Sequence, residues 1–256
     1  WARKTGMSWG GWTVGQTDAG IRGALALKDI EEGEVIVAAP MDAVLMTQEG
    51  DKNPLPESFF SNESWEDLKG FWNVKMALRL IHERRLGEAS KFKEYMKVMP
   101  DEYTTTLFFA PDEVDALQCP SLQTAVLDDQ KYFRWVWERL ESVMVDPFPR
   151  EEFYWGLACA GSRTFTADFG TGQPPAEIMC PIADMVNHDE ASEPGMRWSD
   201  ADGMFELFSP LTLKKGQEVC ISYGNVSNAH LLHYYGFVPD TNAYDYVPVF
   251  ESDLVA

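Results

Sequence analysis

Apolar side chains recur along this chain at two spacings. From Ser64 to Gly87, Trp65, Leu68, Trp72, Met76 and Leu80 return every three or four residues. That period lays side chains along one face of an α-helix. Ser64 stands where an N-cap belongs, Arg84 and Arg85 where cations suit a last turn, and Gly87 just beyond. Pro111 opens a short helix, and Leu122, Val126, Phe133, Val136, Leu140 and Met144 mark a long one that stops before Pro147. Pro149 starts the next, with Phe153 and Leu157 inward and an end at Gly161-Ser162. Outside this block the stripes give way to short apolar runs. Ile21 to Leu27, Val35 to Ala39, Met204 to Phe208 and Val219 to Tyr223 read as strands. Glu31-Glu32-Gly33 and Lys214-Lys215-Gly216 supply turns, and Pro40, with no N–H to donate, ends the first pairing. The order is strands, then helices over roughly 50–149, then strands again, which is an α+β chain interrupted by a helical block.

Composition narrows this picture. The chain has 256 residues, 45% of them apolar and 13% aromatic, enough for one large domain or a domain with an insertion. No apolar run approaches the ~20 residues of a membrane span. The formal net charge of −20 repels phosphate backbones and favours basic, Lys/Arg-rich protein partners over nucleic acid. Cys119, Cys159, Cys180 and Cys220 show no zinc-finger or redox spacing, and their flanks are mostly apolar. They read as reduced core residues of an intracellular protein; the first residue, Trp1, follows no visible leader, so chloroplast, cytoplasm and nucleus stay open. Gly20 and Gly23 let the backbone approach a ligand closely, but no G-x-G-x-x-G spacing or following helix makes this a phosphate loop. The run from Gly170 to Pro175 ends in two prolines and reads as a surface loop, so a Rossmann arrangement is disfavoured.

The candidate chemistry gathers between Cys180 and Val238. Asn187 and His188 follow an apolar run directly. Tyr223 ends a strand and precedes a Gly/Asn turn. A short helix then runs from an N-cap at Ser227 to a C-terminal glycine at Gly236. Tyr223 and Tyr235 thus flank one small unit and can face one cleft. Taken singly, each residue has an ordinary structural role: Asn187 as a turn former, His188 as a satisfied core histidine, Tyr223 and Tyr235 as packing, Arg163 as a surface cation, Asp184 as a local cap. A metal reading would join His230 and His233 to His188 and Asp184. Leu231-Leu232 sets that helix in apolar company and no zinc-protease spacing appears, so no metal site is expected.

Four pieces in order resemble the SET-domain protein methyltransferases, in the branch that includes the Rubisco large-subunit lysine methyltransferase. They are Gly20-Ile21-Arg22-Gly23-Ala24 with Lys28 to Ile36, Ser162-Arg163-Thr164-Phe165, Asn187-His188, and Ser222-Tyr223-Gly224 with Ser227 to Val238. The resemblance implies a SET fold of small sheets with a knot-like C-terminal crossing. It divides the chain into an N-terminal part (1–49), a helical insert (50–149) forming one wall of the substrate cleft, and a C-terminal part (150–256). The separate C-terminal substrate-binding domain of that branch is expected to be absent. It implies S-adenosylmethionine as cofactor and S-adenosylhomocysteine as product. Backbone groups at Arg22, Gly23 and Ala24, with Arg163, Asn187, His188 and Tyr223, would hold the cofactor. Tyr223 would direct its hydroxyl at the transferred methyl, with Tyr235, Asp184 and Ser162 on the acceptor side. One departure is the family's Gly-x-Gly-Leu, which reads Ile21-Arg22-Gly23-Ala24 here. The cysteine clusters beside many histone-directed relatives are missing. The expected activity is methyl transfer to a lysine of a non-histone protein that exposes it; transfer to a histidine and a non-catalytic protein-binding module are the alternatives.

Overall fold

A computed structural model describes residues 1–144, 146–169, 173–193 and 195–247. Five strands come first: β1 (Ser8–Trp9), β2 (Trp12–Gln16), β3 (Arg22–Ala26), β4 (Val35–Pro40) and β5 (Leu45–Gln48). Six helices follow: α1 (Asn62–Asp67), α2 (Trp72–Leu86), α3 (Lys93–Met96), α4 (Pro111–Ala116), α5 (Pro120–Val143) and α6 (Arg150–Arg163). The chain returns to strands with β6 (Phe165–Ala167), β7 (Ala176–Met179), β8 (Asn187–His188), β9 (Met196–Ser199), β10 (Met204–Phe208) and β11 (Glu218–Ile221). Helix α7 (Asn228–His230) continues as a π turn over Leu231–Tyr235.

Each sheet joins strands from both sides of the helical block. The orders are β1-β4-β10-β9, β2-β3-β11-β8 and β5-β7-β6. All neighbours run antiparallel except β11 and β8, which pair in parallel through Cys220 with Asn187 and Ile221 with His188. The excursion leaves from β5 and returns at β6, two strands of one sheet. Apolar side chains of the sheets form one core around Trp12, Ile36, Phe205 and Val219. The helices form another around Trp65, Leu78, Phe148 and Phe153. Leu45, Met76, Tyr95, Trp155 and Met179 join the two.

Strands β3 and β4 do not pair with each other, as the Gly33 turn had implied. Gly33, at φ 80°, passes the chain from one sheet to the next. The apolar stripe from Trp65 to Leu80 belongs to two helices. Ser61 is the first cap, accepting from the Ser64 N–H at 3.1 Å, so Ser64 lies inside α1. Gly70, at φ 82°, separates α1 from α2. Helix α2 is buried on several sides, and Gly156 of α6 brings the two helices so close that a Cβ there would stand 3.0 Å from Ala77. Helix α6 also runs further than expected, through Gly161 and Ser162 to Arg163. The four cysteines are free; Cys159 and Cys180 are buried as expected, but Cys119 and Cys220 are only half-buried. Of the expected surface loop, 170–172 lie outside the described residues.

Candidate active site

The site is assembled at the junction of α6, the turn before β8, and the end of β11. Leaving β7, the chain places Ile182 at φ 72°, a left-handed conformation that strains a β-branched residue. A tight turn, Ala183–Met185, follows, and the Asp184 N–H donates to the Cys180 carbonyl at 3.1 Å. This turn drives the Asp184 side chain into the interior, where none of it reaches solvent. Asp184 Oδ2 accepts from Tyr95 Oη at 2.7 Å and from Arg163 Nη1 at 3.0 Å; Arg163 Nη1 also reaches the Asp184 carbonyl at 3.1 Å. The last residue of α6, the turn and α3 are thereby locked together. Burial opposes the charge of Arg163, but the Asp184 carboxylate together with Tyr103 and Tyr95 more than offsets this and holds the guanidinium ionised. Burial, reinforced by Asp184, pushes the Tyr95 phenol up. Among the described residues, Asp184 Oδ1, Arg163 Nε and Thr164 Oγ1 are buried without a partner. Such atoms are rare in native interiors and point to a ligand that completes them.

On the parallel pair β8–β11, Asn187 Nδ2 donates to the Arg22 carbonyl and to Glu218 Oε1, both at 2.8 Å. His188 Nδ1 accepts from the Tyr223 N–H at 3.1 Å, and burial lowers the pKa of its ring. Tyr223 lies two residues past the end of β11 and donates its hydroxyl to the Val186 carbonyl at 2.7 Å. Burial pushes its phenol well above the ordinary range, with Arg163 pulling it back in part. Its ring centroid is 4.9 Å from Tyr235 and 5.2 Å from His188. Phe237 completes the aromatic group, 6.1 Å from His188. Ser227 caps α7 as expected, and Gly236, at φ 79°, ends the π turn; a Cβ there would come within 2.8 Å of the Thr104 backbone.

A cavity of about 320 Å³ opens here, lined by Ser162, Arg163, Asp184, Tyr223 and Tyr235, with Phe165 on its wall. Five of the residues singled out in the sequence therefore meet in one place. Arg22, Gly23, Ala24, Asn187 and His188 do not line it. They form a second group on β3 and β8, joined to the cavity through Tyr223. Two expectations need adjusting. Arg163 reaches Asp184 through Nη1, and its Nε is buried without a partner. Gly23 is approached by the protein's own side chains: a Cβ would collide with Glu218 and stand 2.6 Å from Thr17. The Ser162 hydroxyl donates to the Ala158 carbonyl of its own helix at 2.6 Å. His233 bonds Thr106 and Asp129, and no cluster of three metal-ligating side chains is found among the described residues. Glu218, Tyr95 and Phe237 are site residues to which sequence reasoning gave no role. For Glu218 the available signal was a carboxylate at the start of an apolar strand.

A SET domain family model matches residues 21–224. The Rubisco large-subunit N-methyltransferase of Pisum sativum is 29% identical over 262 residues, covering 90% of this chain and 49% of that protein. The actin-histidine N-methyltransferase of Danio rerio is 28% identical over 261 residues, covering 97% of this chain and 43% of the relative. The chain thus spans about half the length of the curated relatives it matches. The crystal structure of the SET domain of LSMT bound to MeLysine and AdoHcy superposes with a TM-score of 0.76 at 25% identity, over 94% of this chain and 56% of that one.

Proposed function

This chain belongs to the SET-domain family, and on that premise we propose that it is an S-adenosylmethionine-dependent protein N-methyltransferase acting on a lysine of a non-histone protein. The observation that carries this is the position of Tyr223. Its ring contacts His188, in the β3–β8 group, and Tyr235, on the cavity wall, so one phenol joins the two groups of candidate residues. The cofactor belongs with Arg22, Gly23, Ala24, Asn187 and His188, with its carboxylate reaching Arg163 on the near wall of the cavity, and the acceptor enters that cavity from the other side. The donor set fits a zwitterionic amino-acid group. Both amide hydrogens of Asn187 are committed within the protein, which leaves its Oδ1 to accept from an ammonium. Arg163 Nε is a buried N–H without a partner, suited to a carboxylate.

When bound, S-adenosylmethionine supplies a methyl on a sulfonium that leaves without an acid. What the chain must do is align the amine with that methyl in a dry channel, at about 3 Å. It must also hold the amine neutral: a free lysine has a pKa near 10.4, and deprotonating it at pH 7 costs about 4–5 kcal/mol. Walls of Phe165, Val186, Ile221 and Tyr235 desolvate the amine and lower that cost. Tyr223 stays protonated, so it orients and does not act as the base. Asp184 is engaged by Arg163 and Tyr95. The apolar and aromatic walls suit the slender stem of lysine. A histidine acceptor is the second reading, favoured by Asp184 Oδ1, a buried acceptor able to take an imidazole N–H. We take the helices over 50–149 as one wall of the substrate cleft. The partner is a protein; no helix among the described residues is long and apolar enough to cross a bilayer.

Calorimetry with S-adenosylmethionine, paired with transfer of labelled methyl to lysate proteins and mass spectrometry, tests the proposal. Wild type binds and transfers. Asn187→Ala loses about tenfold or more in affinity, a lost charge-assisted hydrogen bond. Tyr223→Phe keeps binding but loses about 10²-fold in rate, as for other oriented hydroxyls in transition-state sites. Wild type that binds no cofactor makes the chain a binding module.

A further inference from the structure

Beside the Tyr223 cavity lies a larger one of about 470 Å³, and the two share Thr164, Thr166 and Tyr235 as a common wall. Its lining contains no lysine or arginine but two carboxylates, Asp129 and Glu177. Asp129 is bonded to His233 at 3.0 Å. Glu177, half-buried on β7, accepts from Thr166 Oγ1 at 3.0 Å and forms no ion pair among the described residues. Burial raises its pKa, with the Thr166 hydroxyl pulling it back only in part. Thr105 lines the same cavity; it is 3% exposed and its hydroxyl has no partner, and the shared Thr164 hydroxyl has none either. Trp72 and Tyr234 present exposed aromatic rings to it.

We propose that this second cavity receives a basic side chain, arginine or lysine, of the protein substrate within a few residues of the acceptor, with Glu177 as its counter-ion. The inference rests on the Tyr223 cavity being the acceptor channel. One chain can occupy both cavities, because they share a wall. In an extended chain, alternate side chains on one face are ~7 Å apart, a spacing that suits neighbouring pockets. A cation fits the chemistry on each side: the electron-rich faces of Trp72 and Tyr234 attract it, the lone carboxylate pairs it, and the unpartnered hydroxyls accept its N–H groups. An anion meets two carboxylates. An apolar residue leaves Glu177 and both hydroxyls more deeply buried and still unpaired.

The test captures a peptide library, with a fixed central lysine and random flanks, on the full chain with S-adenosylhomocysteine, and sequences what is held. Wild type is expected to enrich arginine or lysine about tenfold at one flanking position, the range of a partly desolvated charge pair. The isosteric Glu177→Gln flattens that position alone, and Glu177→Lys reverses it to aspartate or glutamate. Thermal melts confirm that both variants fold. An enrichment that survives unchanged in both variants, a wild-type pool without basic preference, or no capture at all overturns the inference. Methyl transfer to the captured pool is scored separately. A basic-selected pool that is held but never methylated overturns the methyltransferase reading and leaves the pocket standing.

Discussion

Gly23 has no room for a side chain because Glu218 and Asn187 occupy the space beside it. The glycine was legible as a place of close approach; that the approaching groups are the protein's own was not. Asn187, His188 and Tyr223 stand out in the sequence because they sit in short, ordered motifs. Glu218 does not, since a carboxylate in a strand shows nothing of what it meets 31 residues away. The same holds for Arg163 and Asp184. Each was legible as a candidate site residue, but their mutual ion pair spans 21 residues and follows only from the strained turn at Ile182. In the proposed cofactor site, Glu218 fixes the Asn187 amide by accepting from its Nδ2. Glu218→Ala is therefore expected to weaken S-adenosylmethionine binding about tenfold, the scale of a hydrogen bond to a charged group. Glu218→Gln keeps a carbonyl oxygen in place and restores most of the affinity. Calorimetry on the two variants checks this. Equal losses in both would assign Glu218 to charge, and no loss in either would leave Asn187 oriented by the Arg22 carbonyl alone.

At the scale of elements, periodicity located the helices but not their breaks. Leu68 and Trp72 keep a four-residue step across Gly70, so one stripe runs over two helices. The break is visible only in the glycine's positive φ. A buried ion pair no pattern announces ties α2 to the segment before α1. Lys75 Nζ lies 2.8 Å from Asp51 Oδ1, with side chains 6% and 18% exposed, and 4.7 Å over the Trp65 ring. Trp65 Nε1 also donates to Asp51 at 3.2 Å. Removing one member of such a pair strands the other: Asp51→Ala is expected to cost about 3–5 kcal/mol, read as a fall in the urea midpoint at unchanged slope. Adding Lys75→Met to that variant should recover most of the loss, because the stranded charge and not the missing attraction dominates. A single variant that loses under ~1 kcal/mol would mean that the ammonium finds water instead.

For the whole molecule, the order of strands, helices and strands was legible, while the assignment of strands to sheets was not. Strand β4 pairs with β10 and β3 with β11, partners well over 150 residues apart that no local pattern links. The net charge, by contrast, is a property of the complete chain and bears on both stability and encounter. A formal −20 repels itself in the compact state and attracts a basic partner at long range. Salt weakens both effects, and they have opposite consequences. Raising NaCl from ~0.1 to ~1 M shortens the screening length from about 10 to 3 Å. The thermal midpoint should rise as self-repulsion is screened. Over the same range kcat/KM on an arginine-flanked lysine peptide should fall several-fold through KM, with kcat unchanged, because steering and rim charges act before the chemical step. The same peptide with neutral flanks supplies the control, since its KM should barely move. A midpoint and a kcat/KM that rise together would show that the acidic surface serves solubility alone and takes no part in choosing the substrate.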